Sequence, residues 1–440
     1  MCLEPGALEF GATSPGIRLR AVSRTAGGLA TGGLRANADV STGRAPDGNV
    51  VALPSAVSPS GSPRWSRAMR QRSAHRAPTL LPLKDLSSRD IAAWRELAAQ
   101  AAEPNPFFEP ECVLPAARHL GEPDVGLLVV TGSGGEWLAC MPVIAHLRRW
   151  RTRLPVFAAW RNLYGCLGTP LVAESAVEIA TARLLEQAFR ASSFGLVGFP
   201  SLGDDGPVAR GLRATLAASG REPVLHRSYE RAVVRRATLA DGLDAVISAR
   251  HQRNLNRLSR RLAEVLDAPL MVSDQSESAG AAENFMALEA SGWKGKAGTA
   301  LRSNPAHAAY FDELCAGFRA AGRLQLLALG AADRSVSYKC NLLAGDAVFC
   351  FKIAHDESFA RYRPGVQLEL QMLNHFRDEM SEMWMDSCAA PDSKLFEHFW
   401  PERRSIGTYV LTANGSIARA INHAARASRA ALGADRAASE

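Results

Sequence analysis

Between Tyr338 and Gln367 the chain carries side chains that together could move an acyl group. Asp356 could take a proton from an attacking amine, because acyl transfer without a covalent intermediate needs a base within hydrogen-bond reach. Lys352 could hold an acidic acceptor or steady a developing oxyanion. Tyr338 could give a proton to a departing thiolate. Lys352 and Asp356 lie four apart, so an extended strand puts them on one face with Ala354 between them and His355 opposite. Pro364-Gly365 then opens a helix-patterned stretch with Val366, Leu368, Leu370, Met372 and Leu373. Glycine lets backbone approach a phosphate, and a helix start supplies N–H groups and a favourable dipole. The cofactor-binding candidates are therefore Arg363, Gly365 and the amides of Val366 and Gln367, with Arg361 as a second guanidinium. Trp293 could stack against an acceptor beside Lys294. The same residues also have ordinary readings: a tight turn, a strand-end ion pair, a half-buried sheet tyrosine and a core tryptophan. Glu369, one turn into the helix, is an ordinary helix residue unless its face lines a cleft.

These residues need a particular scaffold. Leu324 to Leu373 reads as three strands, a loop and a helix, with turns at Ala331-Ala332-Asp333 and Gly345-Asp346. Upstream, Asp85 to Ala101 and Pro110 to Leu120 have helical spacing, and Gly132 to Gly135 turns a hairpin. A helix over Glu174 to Ala191, a strand near Phe194, a helix over Pro207 to Ser219 and a strand over His226 to Arg235 follow. Then come helices over Gly242 to Leu266, Ala282 to Ser291 and Pro305 to Ala321. Strands near Met383 and Arg404 and an Ala-rich helix over Ser416 to Leu432 close the chain. The expected fold class is α/β (α+β), with two tandem domains, each a mixed, mostly antiparallel sheet flanked by helices.

Composition narrows the function. With 440 residues, 47% of them hydrophobic, the chain is long enough for two or three domains. The net charge of +7 points toward nucleic acid only until it is divided. Residues 1 to 78 hold ten Arg, no Lys and four acids, 10 − 4 = +6, which leaves 7 − 6 = +1 for the rest. A phosphate-backbone footprint is not supported, so no nucleic-acid partner is expected. Pro54 to Pro63 has linker composition, and residues 1 to 78 read as a disordered tail. The eight Cys form no C-x-x-C and sit mostly in apolar runs, as buried thiols do in a reducing cytoplasm. No run reaches the roughly 18 to 20 apolar residues that span a bilayer. No metal is expected, since no Cys/His cluster has zinc spacing. G-x-S-x-G, H-E-x-x-H and Rossmann patterns are absent, and Gly295-Lys296 fails the P-loop pattern at Ala290 and Ala297.

Four stretches together resemble a known family. They are Asn105-Pro106-Phe107-Phe108 with Pro110; the basic stretch Ser248 to Leu262; Ser291-Gly292-Trp293-Lys294 with Gly298-Thr299-Ala300; and Lys352 to Asp356 with Pro364-Gly365. In this order they are similar to the CelD/BcsL-type acyltransferases of the GNAT superfamily, also called BioF2-like, with FemAB-type transferases as more distant relatives. The resemblance spans about residues 82 to 412. It implies tandem GNAT-like domains over 79 to 238 and 239 to 412, and transfer from acetyl-CoA or another acyl-CoA to an amine or hydroxyl. It also implies a small-molecule or saccharide acceptor and a setting in cellulose, exopolysaccharide or envelope synthesis. Where the superfamily's loop reads R/Q-x-x-G-x-G/A, this chain keeps only Gly365. Two other readings stand beside it: a FemAB-like aminoacyl transferase, and a non-catalytic accessory protein of polysaccharide assembly. The arginine face of 250 to 261 is a candidate for contact with an anionic membrane surface or glycan.

Overall fold

A computed structural model of the chain describes residues 18–21, 79–121, 124–145, 156–390 and 399–413, with Ser393 and Phe396. The expected helix over Ser416 to Leu432 and the linker around Pro54 lie outside them, as does the rest of the N-terminal tail apart from β1 (Arg18–Ala21).

The first half runs β2 (Thr79–Pro82), α1 (Ser88–Ala99), α2 (Pro110–His119), β3 (Gly126–Thr131), β4 (Trp137–Ala145), β5 (Phe157–Ala159), β6 (Leu171–Val172), α3 (Val177–Ala191), β7 (Leu196–Gly203), α4 (Pro207–Ala218) and β8 (Val224–Arg235). The second runs α5 (Ala249–Leu266), β9 (Met271–Asp274), α6 (Ala281–Ser291), α7 (Trp293–Lys296), α8 (Pro305–Ala320), β10 (Leu324–Ala331), β11 (Arg334–Ala344), β12 (Ala347–His355), α9 (Pro364–Asp378), β13 (Trp384–Asp386) and β14 (Glu402–Thr412). Among the described residues the strands form one mixed sheet, ordered β1-β9-β10-β11-β12-β13-β8-β14-β7-β5-β4-β3-β2, with β6 beside β4.

The halves repeat one layout. In each, helices precede a run of antiparallel strands, and a later helix leads to a strand parallel to an earlier one of that run. These parallel pairs are β5 with β7 and β12 with β13, and β1 also runs parallel to β9. The fold is thus a tandem of mixed α/β units sharing one sheet. The second half completes the first: β14 lies between β7 and β8, antiparallel to both.

Local chemistry explains many of the boundaries. Ala332 (φ 49) and Gly345 (φ 52) take the left-handed turn positions between β10, β11 and β12. Ser87 caps α1 in a reciprocal box with Asp90. The expected helix from Gly242 begins only at Ala249, because Gly242 is left-handed and the Ser248 side chain accepts from the His251 amide. The short strands β2, β5 and β9 have too few residues to display a period.

Apolar side chains cover both faces of the second-half sheet. Phe285, Phe311, Leu314 and Phe107 pack on one side, over Leu326, Cys340, Phe349 and Phe351. Leu255, Leu262, Leu368, Leu373 and Phe376 pack on the other, over Leu327, Val336 and Val348.

Candidate active site

β12 is the element around which the site is built. It pairs with β11 from Ala347 to His355, but with β13 only from Ala347 to Phe349. Past Phe349 the parallel strands part, and among the described residues nothing pairs with that edge of β12. Its ladder to β11 also slips: Asn341 faces Cys350, while Cys340 faces Lys352. Phe351 is the extra residue, a β-bulge. The bulge shifts the alternation, so Phe349 and Phe351 point to the same side as Lys352 and Ala354. Ile353 and His355 turn toward Gly365 on the other side.

Lys352 stands where the two halves meet. Its Nζ is 3.9 Å from Glu289 Oε1 and 4.6 Å from the centre of the Tyr164 ring. Glu289 is buried near the end of α6. Its Oε1 also takes Lys294 Nζ at 2.8 Å, and its Oε2 takes the Leu301 amide at 2.8 Å. Two ammonium groups thus share one carboxylate. Burial holds Lys352 below the ordinary lysine value, against the pull of Glu289. Burial would raise Glu289, but Lys352, the Leu301 amide and Lys294 outweigh it and hold the carboxyl below its ordinary value.

Tyr164 arrives from the first half, on the loop between β5 and β6. Its hydroxyl is 2.8 Å from His307 Nδ1, on the first turn of α8. Its ring stacks on Tyr310 at 5.2 Å. Burial, then Lys352, keeps the His307 imidazole below its usual value, while burial and Glu289 push Tyr164 up to about 12. The Asn105-Pro106-Phe107 motif holds this loop in place. Asn105 accepts from the Phe107 amide at 3.1 Å and donates to Thr169 O at 2.7 Å. Phe107 lies edge-on to Phe349, ring centres 6.0 Å apart.

The residues singled out by sequence are distributed unevenly around this centre. Asp356 sits past the strand end, accepts from the Ser358 amide and pairs with Arg334 at 2.9 Å. Burial would raise it, but Ser358 and Arg334 prevail and lower it. Tyr338 is buried on the face covered by α6 and α8, its ring 6.3 Å from that of Phe285. Trp293 is 60% exposed, and its amide donates to Glu357 at 2.5 Å. Arg363 is left-handed (φ 54) at the start of α9. Its carbonyl accepts from the amides of Val366 and Gln367, at 3.0 and 3.1 Å. Pro364 has no N–H, so Gly365 carries the one amide of this first turn not directed at Arg363. A Cβ on Gly365 would meet Ile353, His355 and Ser337 only at 3.5 to 4.0 Å. Gln367 is buried, donates to Tyr362 O at 2.7 Å, and leaves Oε1 without a partner among the described residues. Glu369 faces inward to a buried ion pair with Lys339 and accepts from Trp400 Nε1 at 3.2 Å.

Residues 249–388 match the sequence pattern of the acetyltransferase (GNAT) domain. This stretch carries a GNAT-type fold. Among solved structures the chain is similar to FemX, at 11% identity over 76% of this chain and 98% of that one, with a TM-score of 0.53. It is also similar to a conserved protein of unknown function from Bacteroides thetaiotaomicron (12% identity, 76% and 100% covered, TM-score 0.48). A third is the C-terminal domain of a putative lysylphosphatidylglycerol synthetase from Agrobacterium fabrum (14%, 75% and 93%, TM-score 0.45). Among curated proteins none matches the chain in sequence. At these identities the likeness to FemX bears on the fold alone. No helix among the described residues is long and apolar enough to cross a membrane.

Sequence reasoning missed Tyr164, His307 and Glu289. Tyr164 sits in an irregular loop and His307 in an unremarkable helix. Neither has a local pattern that points to Lys352.

Proposed function

We propose that the protein is an acyltransferase that moves an acyl group from an acyl-CoA thioester directly to an amine or hydroxyl. The observation that carries this reading is the open edge of β12 beyond Phe349, bounded by the start of α9 and carrying half-buried Lys352 beside Tyr164 and His307. An extended strand edge offers N–H and C=O groups to an amide-containing arm, much as it would to another strand. Arg363 and the Gly365 amide would meet the cofactor at the helix start. The Lys352 ammonium would stabilise a developing oxyanion in a site shielded from water. His307, kept neutral by its surroundings, would accept the proton of the attacking group. Asp356, tied to Arg334 and Ser358, would serve by shaping the turn that leads to Arg363. Tyr338 would line the apolar wall, and Trp293 with Lys294 would form the rim on the acceptor side. The four sequence stretches favour the CelD/BcsL type, with a saccharide or small-molecule acceptor in cellulose or exopolysaccharide synthesis.

The test is binding followed by turnover. Saturating acetyl-CoA at about 100 times its Kd should stabilise the fold by about 2.7 kcal/mol and raise Tm by about 2 °C or more. Lys352→Met should keep that shift while lowering transfer at least tenfold. Absence of any shift with acyl-CoA, together with stabilisation by an aminoacyl-tRNA, would reverse the choice in favour of the FemAB-like reading.

A further inference from the structure

The outer face of α5 carries charge of one sign. Arg250, Arg253, Arg257, Arg260 and Arg261 are all exposed. At 3.6 residues per turn they fall within an arc of about 100°, along a stripe about 16 Å long. Leu255 and Leu262 stand on the other side of the helix, buried with Phe359 and Tyr362. Among the described residues Arg250, Arg253, Arg260 and Arg261 have no ion-pair partner, and Arg257 donates to Asn254 Oδ1 at 2.8 Å. Glu264 is the only acid in the helix, so α5 carries 5 − 1 = +4. Residues 79 to 440 sum to +1, which leaves 1 − 4 = −3 for all of them outside α5. Several exposed arginines elsewhere are each matched by an acid: Arg118 by Glu313, Arg190 by Glu186 and Arg235 by Glu402.

Exposed apolar groups accompany the stripe. Val265, at its end, is 52% exposed. Exposed Trp293 is tied to the same neighbourhood, because its amide donates to Glu357 on the turn whose Phe359 and Tyr362 pack under α5. Arg361 of that turn is also exposed, over the Tyr362 ring at 4.6 Å. A soluble polyanion would match the guanidinium groups but offer nothing to a valine and an indole held in water. The headgroup layer of a bilayer takes both, with cations on its phosphates and apolar or amphipathic side chains at the boundary beneath.

We propose that the outer face of α5 is a docking surface for an anionic phospholipid bilayer, with Arg250, Arg253, Arg257, Arg260 and Arg261 on the lipid phosphates. The apolar side of α5 is already buried in the protein, so the helix lies on the surface rather than in it. The contact is mainly electrostatic, reversible and weakened by salt. Held this way, the bilayer lies beside the turn that leads to Arg363 and α9. This surface does not depend on the acyl-CoA reading.

The experiment floats the full chain with vesicles of phosphatidylcholine alone, or of phosphatidylcholine mixed with phosphatidylglycerol, at low and high salt. The chain should float with the mixed vesicles only, and should leave them at high salt. At about fivefold per arginine, the combined variant Arg250→Gln, Arg253→Gln and Arg257→Gln should weaken binding about a hundredfold. Residues 1 to 78 carry +6, so the same variant separates the helix from the tail. Binding that survives it would overturn the proposal. Arginine labelling with phenylglyoxal, mapped by mass spectrometry on the unmodified chain, decides if the variant fails to fold. Mixed vesicles should shield Arg253 and Arg257 and leave Arg190 on α3 reactive. Equal shielding of all three, or shielding by transfer RNA or alginate with none by vesicles, would overturn it as well.

Discussion

Replacing Glu289 by Gln removes one negative charge from between two lysines and keeps the side chain's shape. Gln can still accept from the Leu301 amide, so α6 and the following loop should stay in place. The carboxylate stands 3.9 Å from Lys352 Nζ. At an effective dielectric near 20, such a pair attracts by roughly 4 kcal/mol, and water reaching the site would reduce that to roughly 2 kcal/mol. Burial already disfavours the Lys352 ammonium, and this attraction is what opposes it. Glu289→Gln should therefore tip Lys352 toward the neutral amine by roughly 30- to 1,000-fold at a given pH, taking 1.36 kcal/mol per decade. Competitive labelling with acetic anhydride, read by mass spectrometry across a pH series, measures the amine fraction of Lys352 directly and needs no acceptor. The labelling midpoint should move to lower pH in the variant. Transfer should then fail at pH values where the parent protein still works. A Lys352 midpoint that stays put or rises would refute the electrostatic account of this site.

Other outcomes can be checked alongside. Asp386 is fully buried, 3.0 Å from Arg404 and 3.4 Å from Arg231; Asp386→Ala strands two buried guanidinium groups and should cost about 3–5 kcal/mol in urea unfolding. Gly168→Ala would push a Cβ into the Pro200 carbonyl and should destabilise the fold. Gly365→Ala makes only ordinary contacts, so it should change stability by less than about 1 kcal/mol while weakening acyl-CoA binding in calorimetry. Glu289, Asp356 and Glu402 lie below their ordinary values because, in each, cationic and hydrogen-bond partners outweigh burial. The folded state then binds fewer protons than the unfolded chain at acid pH. Their contribution should be complete above about pH 4.5 and lost as pH falls below it, which a series of melting curves would reveal.

The local chemistry of β10 to α9 was legible in the chain. Turn residues at Ala332 and Gly345 punctuate apolar runs, and Pro364-Gly365 opens a stretch whose apolar residues fall at helical spacing. These features depend on neighbours a few residues away, so composition and period suffice to reveal them. The positions of Lys352 and Glu369 show where that legibility ends. Strict alternation puts Lys352 with Asp356, and the strand keeps that phase past the bulge at Phe351, but Asp356 lies beyond the strand end, where Ser358 and Arg334 take it. Glu369 reads as an ordinary helix residue, yet the sheet covers it and Lys339 neutralises it.

By itself, the sequence determined most of the longer strands and helices, the turns between β10, β11 and β12, and that a helix opens at Pro364. Tertiary structure alone decided that Tyr164, Glu289 and His307 surround Lys352, and that β14 fills a gap between β7 and β8. The reason is physical. Turns and caps are satisfied by backbone groups a few residues apart, whereas a site between two halves forms only when distant apolar faces are buried together, and no local pattern records which polar side chains that burial will bring into contact.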